Sequence, residues 1–298
     1  MREDAQARVS RLPCWRGRVE FEPLFGGISN QSFIASDRGE RFVVRLGEDV
    51  PVHGVVRERE LALSRAAHAA GISPELIYAE PGLFVVRFIE GRTLTAKDVR
   101  DPQMLARIVQ LVRACHHEVQ RHLDGASPAF CVFQAIRAYG RVLAEAKPRS
   151  YPQLPEWFAA AGRLEAATPK VGSVFAHNDL LAANLIDDGD RLWLVDWEYG
   201  GFNSPLFDLA NLASNNELAP AQEAFLLEAY FEALANGDLA RGYGAMVCAS
   251  LLREAMWSLV SELHFTLDFD YAAYADLNLE RFARAYDGFQ GGQGQRLP

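Results

Sequence analysis

The sequence predicts an α+β fold in two lobes: a small antiparallel sheet with one main helix, then a mainly helical body. Three observations predict it. Apolar and polar side chains alternate between turn signals over residues 20–46, and two short strand patterns flank a Pro-Gly turn over 73–91. The apolar spacing is helical over 95–121, 219–236 and 246–264. After Thr95, strand signals return only around residues 184–196.

The elements follow in order. "EFEPLFGGISNQSFIASDRGERFVVRL" (20–46) reads as strands around the turns GGISN and SDRGER. "RERELALSRAAHAAG" is an Ala/Leu-rich helix stopped by Gly71. "SPELIYAEPGLFVVRFIEG" supplies two short strands about a Pro-Gly turn. Residues 1–90 are therefore expected to form one lobe and 91–298 the other. The tail "GGQGQRLP" reads as loose, and no internal repeat is present.

The totals restrict the function classes. The chain has 298 residues, 49% hydrophobic and 23% charged, as an ordinary globule with a substantial core does. A net charge of −9 argues against a nucleic-acid partner, because a phosphate backbone demands a positive footprint. No run of about 18 apolar residues occurs, so no membrane insertion is expected. "MREDAQARVS" carries no apolar stretch of the signal-peptide kind, and Cys14, Cys115, Cys131 and Cys248 are scattered without a CxxC. Reduced thiols and a cytoplasmic location are the expectation.

The chemistry concentrates in "FAHNDLLAANLIDDGDRLWLVDWEYGG" (175–201). A kinase catalytic loop has the form H-R-D-x-x-x-x-N, its Asp taking the hydroxyl proton and its Asn holding magnesium. Here Asp179 precedes Asn184 by the same interval. "NLI", the turn "DDGD" and "RLWLV" then form a hairpin that returns Asp196 towards Asn184, since paired strands lie about 5 Å apart. Two oxygen ligands converging beside a carboxylate suit Mg2+, with phosphates and waters completing the octahedron. Asp and Asn that only cap turns are the bland alternative for each residue taken singly. His177, two residues before Asp179, is read as support for the loop rather than as a reacting group.

"HNDLLAANLI", "LVDWEYGGFN" and "FDLAN" resemble the choline/ethanolamine kinase family, within the broader aminoglycoside-phosphotransferase-like class. "GGISNQSF", "RERELALSRAAHAAGISPELIY" and "MWSLVSELHFTLDFDYAAYADLNLERF" resemble further segments of that family in the same order. The resemblance implies a protein-kinase-like fold, ATP and Mg2+ as cofactors, and phosphoryl transfer to a small cationic amino alcohol. Asp179 is then the general base, and Asn184 and Asp196 are the metal ligands. Asp208 and Asn211 buttress the loop, a role compatible with capping a nearby helix start. "FGGISN", with Gly26, Gly27, Ser29 and Asn30, covers the phosphates. Strand Arg45 meets the phosphates where other kinases use Lys, and Glu60 is its partner in preference to Glu58. Glu60 shares the inward stripe with Val56, Leu63, Ala67 and Ala70, and a buried carboxylate requires a cation. Backbone groups from Phe88 to Glu90 cradle adenine.

For the acceptor, the resemblance points to Trp257 and Tyr274 as aromatic faces for the ammonium, with Tyr271, Glu198 and Phe202 nearby. Glu254 stands where eukaryotic choline kinases carry a second Trp, which favours a smaller, more hydrated amine such as ethanolamine. Other acceptors on the same fold (an aminoglycoside, thiamine or another alcohol), a nucleotide-binding pseudokinase and a metal hydrolase built on His177, Asp179 and Asp196 remain open. "CHHEVQRH" offers only Cys115 and His122 on one helical face, too few ligands for zinc.

Overall fold

The structure is a computed structural model, and it describes residues 3–24, 31–125, 128–234, 236–265 and 269–292. A short helix α1 (Glu3–Val9) precedes β1 (Glu20–Pro23), β2 (Gln31–Asp37) and β3 (Glu40–Leu46). Helix α2 (Arg57–Ala69) leads to β4 (Leu76–Glu80) and β5 (Leu83–Arg87). These strands form one antiparallel sheet in the order β1-β2-β3-β5-β4. The Pro81-Gly82 turn closes because Gly82 takes φ +75°, which a side chain would strain.

The rest of the chain is mainly helical. β6 (Arg92–Thr93), α3 (Ala96–Val99), α4 (Pro102–Glu118), α5 (Val132–Ala146) and α6 (Leu154–Ala167) come first. β7 (Val174–Ala176), β8 (Leu185–Asp187), β9 (Leu192–Leu194) and β10 (Gly201–Asn203) surround the catalytic segment. α7 (Pro205–Asn216), α8 (Pro220–Phe231), α9 (Gly237–His264) and α10 (Tyr271–Gln290) complete it. The α8 pattern predicted to Asn236 stops at Phe231, and α9 begins before the predicted 246. Strands β6, β7 and β10 also lie outside the predicted 184–196 region, where β6 pairs with β8 and β7 with β10. Strands of two or three residues are too short to show an alternation, so only pairing partners reveal them.

Two hydrophobic cores divide the described residues. One is small and lies against the sheet, with Val9, Phe33, Phe42, Val44, Leu83 and Val85. The larger core fills the helical body, and it also takes Leu63, Ala66 and Ala67 of α2. Helix α2 thus packs its apolar stripe on the second lobe while its first turn faces the sheet. Helix α9 is buried on every side along most of its length, as expected for a helix that is apolar all round. Among the described residues no helix is long and apolar enough to cross a membrane, and all four cysteines are free.

His53 ties the two parts together. Its Nδ1 lies 3.3 Å from Tyr139 Oη and its Nε2 3.0 Å from Ser261 Oγ, with Trp257 and Phe265 against the ring. Burial, helped by Arg253 and His264, lowers its pKa to about 3. A histidine that resists protonation only when folded stabilises the fold above its unfolded pKa of about 6.5. That contribution falls as the pH drops from 6.5 towards 3. Acidification from pH 6.5 to 4.5 is expected to cost about 2–3 kcal/mol through this residue. Urea titrations at both pH values check it, and His53→Gln should flatten the difference by that amount.

Candidate active site

The hairpin register brings the catalytic segment together. Leu185 pairs with Leu194, Ile186 with Trp193 and Asp187 with Leu192, so Asp196 comes back beside Asn184. The Val195 amide donates to the Asn184 carbonyl at 3.0 Å, which closes the return. Asn184 Nδ2 donates to the backbone carbonyl of Asp179 at 2.9 Å. With its nitrogen committed, the amide presents its oxygen as the ligand atom. Asp179, Asn184 and Asp196 all line one cleft of about 410 Å³ between the sheet and the helical body.

Two residues of this segment hold backbone angles that side chains rarely adopt. Asn178 has φ +66° and Asp196 φ +71°. Asn178 is held there by its own side chain, whose Nδ2 lies within hydrogen-bond reach of the Ala176, Tyr199 and Gly201 carbonyls. Its Oδ1 accepts from Asn203 at 2.8 Å. Asp208 sits below the loop and accepts from the His177 amide at 2.8 Å, the Asn178 amide at 2.7 Å and His116 Nε2 at 3.0 Å. Asn211 Oδ1 accepts from the Leu180 amide at 2.6 Å. His177 is fully buried, its Nε2 donating to the Val195 carbonyl at 3.0 Å, and burial lowers its pKa. That geometry ties the turn at residues 177–179 to the end of β9.

The charges on the sheet side form a network. Arg45 Nη1 donates to Glu60 Oε1 at 2.8 Å and to Asp196 Oδ1 at 2.9 Å, and Nη2 pairs with Glu198. Glu60, not Glu58, is therefore the partner of Arg45, because α2 aims it inward at 1% exposure. Arg57 Nη1 reaches Glu60 Oε2 and Glu198 Oε1, each at 2.6 Å. Burial pushes the Glu60 carboxyl up in pKa, against the pull of Arg45 and Arg57. Oxygens of Glu60, Asp196 and Glu198 all lie within 4.8 Å of one another. With the Asn184 amide, these all-oxygen donors fit a hard divalent cation such as Mg2+.

Much of the remaining wall is apolar. Val43, Phe84, Val86, Phe88, Ile89, Leu181, Ala183 and Ile186 line the cleft towards the link between the lobes. The Phe88 amide already donates to the Arg41 carbonyl at 3.0 Å, so it is committed within the protein. The Glu90 side chain pairs with Arg41 at 2.9 Å and is 70% exposed, which leaves its backbone as the group expected to meet a nucleotide. Gly91 is required where the link crosses the hairpin: a Cβ there would lie 2.8 Å from the Asp187 carbonyl oxygen. Gly26, Gly27, Ser29 and Asn30 lie outside the described residues.

On the acceptor side the structure sorts the expected residues. Glu254, Trp257 and Tyr274 line the cleft, with Tyr274 Oη 3.4 Å from Glu254 Oε2. Tyr271 does not line it; the side chain is 4% exposed and packs behind Trp257 and against Phe269. Phe202 is turned away as well, because pairing of β10 with β7 lays its ring edge-on against Phe175, 5.8 Å between centroids. Glu198 lines the cleft but belongs to the Arg45 and Arg57 network, since Trp197 between it and Asp196 points into the core.

On the acceptor side, Tyr199 and Arg253 also line the cleft and escape the sequence reading. Tyr199 accepts from Trp257 Nε1 at 3.1 Å. Arg253, 1% exposed, reaches Asp179 Oδ1 at 3.4 Å and pairs with Glu254. The signal for Arg253 was present: "RE" interrupts the apolar run "AMVCASLLREAMWSLV" four residues before Trp257. Burial pushes the Asp179 carboxyl up in pKa; Arg253 opposes the rise, and Glu254, Asp196 and Glu198 add to it. A carboxylate so placed holds a proton more readily than one in water.

Comparison with known proteins agrees with this geometry. Residues 21–223 match the family described as choline/ethanolamine kinase. Protein LicA of Haemophilus influenzae is 30% identical over 213 residues, spanning 69% of this chain and 61% of that protein. Ethanolamine kinase 2 of Rattus norvegicus is 25% identical over 300 residues, 91% of this chain and 77% of the relative. A choline/ethanolamine kinase family protein from Mesorhizobium loti superposes with a TM-score of 0.76 at 27% identity, covering 97% of this chain and 98% of its own. With the protein-kinase-like architecture, the catalytic segment and a family match over more than half its length, the chain belongs to the choline/ethanolamine kinase family.

Proposed function

We propose that the protein transfers the γ-phosphoryl group of ATP to the hydroxyl of a small amino alcohol, with ethanolamine preferred over choline. The observation that carries this reading is that Asp179 lines one cleft together with Asn184 and Asp196 and with Glu254, Trp257 and Tyr274. Residues 1–90 are assigned to nucleotide binding, and 91–298 to catalysis and acceptor binding.

Asp179 orients the acceptor hydroxyl and takes its proton while the oxygen bonds to phosphorus and the bond to ADP breaks. Its raised proton affinity suits that exchange. Asn184 and Asp196 would hold Mg2+, with Glu198 beside them, and there it would supply charge neutralisation and alignment for the phosphates. Arg45 supplies the cation from the sheet, and Glu60 and Arg57 set its position. The adenine lies among Val43, Phe84, Val86, Phe88 and Ile186. Asp208, Asn211 and His177 keep the catalytic turn rigid, which matters because phosphoryl transfer is mostly alignment and charge neutralisation.

Glu254 decides the acceptor preference. An ammonium that retains N–H groups can donate to this carboxylate, whereas a trimethylammonium cannot. A charge-assisted hydrogen bond contributes about 1.5–3 kcal/mol, which corresponds to roughly ten- to a hundredfold in kcat/KM. The test is a turnover screen with Mg2+ and ATP over ethanolamine, its N-methyl and N,N-dimethyl forms, choline, thiamine and an aminoglycoside. The expected result is a stepwise fall from ethanolamine to choline, with Glu254→Gln levelling the series. No transfer to either ethanolamine or choline would overturn the reading, and turnover of thiamine or the aminoglycoside alone would reassign the acceptor.

A further inference from the structure

We propose that Arg253 is a positioning residue that ties the base to the acceptor-binding carboxylate, so that the amine end of the acceptor helps to align the reacting end. The inference rests on the kinase reading above and adds a residue that the family resemblance did not suggest.

A single nitrogen carries the argument. Arg253 Nη1 lies 3.4 Å from Asp179 Oδ1 and also pairs with Glu254 Oε1. The carboxylate that meets the hydroxyl and the carboxylate that meets the ammonium therefore share one guanidinium nitrogen. Their separation is set by that nitrogen and by α9, whose position is fixed by packing against α5, α6, α7 and α10. An acceptor spanning the two carboxylates has its oxygen and nitrogen placed by one rigid group.

A side chain that merely filled the core would not look like this. Arg253 is 1% exposed, yet its Nε and Nη2 make no hydrogen bond among the described residues. Buried donors left unmade are costly, and a protein that keeps them commonly does so at a functional site. The cost is offset in part by the Tyr199 ring, 4.5 Å from the guanidinium carbon. That ring is itself held through its hydroxyl by Trp257 Nε1 at 3.1 Å. Arg253 is thus braced by one cleft aromatic, which another cleft aromatic braces in turn. A positive charge in a pocket for a cation is tolerable because Asp179 and Glu254 outnumber it.

If Arg253 aligns the base, removing it should act on the chemical step. Arg253→Gln is expected to lower kcat for ethanolamine about a hundredfold, as a misplacement near 1 Å does, with the KM for ATP within about twofold. Arg253→Lys keeps the charge without the fork and should recover about tenfold of that loss. Glu254→Gln should lower kcat about tenfold as well as raise the acceptor KM, since Arg253 loses its second anchor. The double variant should be no slower than Arg253→Gln alone, because residues acting as one unit are not additive.

Thermal melting shows which variants fold. Should Arg253→Gln fail to fold, Arg253→Lys and Glu254→Gln carry the test. Arg253 as simple packing would give no rescue by Lys and a Glu254→Gln effect confined to KM, which would overturn the inference. A kcat for Arg253→Gln within about threefold of wild type would overturn it too. A wild-type protein inert towards every amino alcohol would overturn the proposed reaction and this inference together.

Discussion

Asp179→Asn is expected to reduce kcat by ~10²–10⁴-fold, because a positioned general base contributes about that much. The change should leave the fold and nucleotide binding intact. The hydrogen bond from Asn184 reaches the backbone carbonyl of residue 179, not its side chain, so the metal-side geometry keeps its anchor. Asn is also isosteric, and its oxygen can still accept from Arg253. Steady-state kinetics with ethanolamine, together with nucleotide titration, check the split. A variant retaining more than a tenth of wild-type kcat would remove Asp179 from the base role and favour another proton acceptor.

The second large effect is on stability. Asp208→Ala is expected to destabilise the protein by about 3–5 kcal/mol, since it strands buried donors around an uncompensated site. The two backbone amides of the catalytic turn, at His177 and Asn178, lose their acceptor, and so does His116. All of these groups are fully buried, so water cannot replace the lost bonds without opening the lobe. Chemical denaturation measures the change, and a loss below about 1 kcal/mol would show that the turn holds itself. Burial acts to raise the Asp208 pKa, but the bonds from His116 and the His177 amide overcome it and leave the carboxyl below its usual range. A carboxylate with a depressed folded pKa stabilises above the unfolded value of about 3.9 and loses that contribution only as the pH falls through the depressed one. The acid sensitivity of wild type just below neutrality should therefore come from buried histidines such as His53 and His177 rather than from Asp208.

Residues differ in how far they could be read without the fold. Asp179, Asn184 and Asp196 are close in sequence, and local rules are enough to bring them together: a fixed loop interval and one hairpin. Glu60 was legible for a related reason, because the stripe of α2 aims it inward and a buried carboxylate demands a cation. Tyr271 and Phe202 were assigned to the acceptor on position in a motif alone. Their side chains belong to the core because the start of α10 lies behind Trp257 and because β10 pairs with β7. His116 was dismissed as a zinc ligand, yet nothing in "CHHEVQRH" announces that it would meet Asp208, 92 positions later.

By itself, the order of residues determined the two-lobed α+β plan and the three oxygen-bearing groups of the catalytic segment, since both depend on periodicities and turns spanning tens of residues. Only the tertiary structure decided that Arg57 shares Glu60 and Glu198 with Arg45, that Glu198 serves the cation side, and that Arg253 joins Asp179 to Glu254. Those pairings cross between α2, the end of the hairpin and α9. Charges are matched at such distances by packing of the whole core, and no local rule of spacing carries that information.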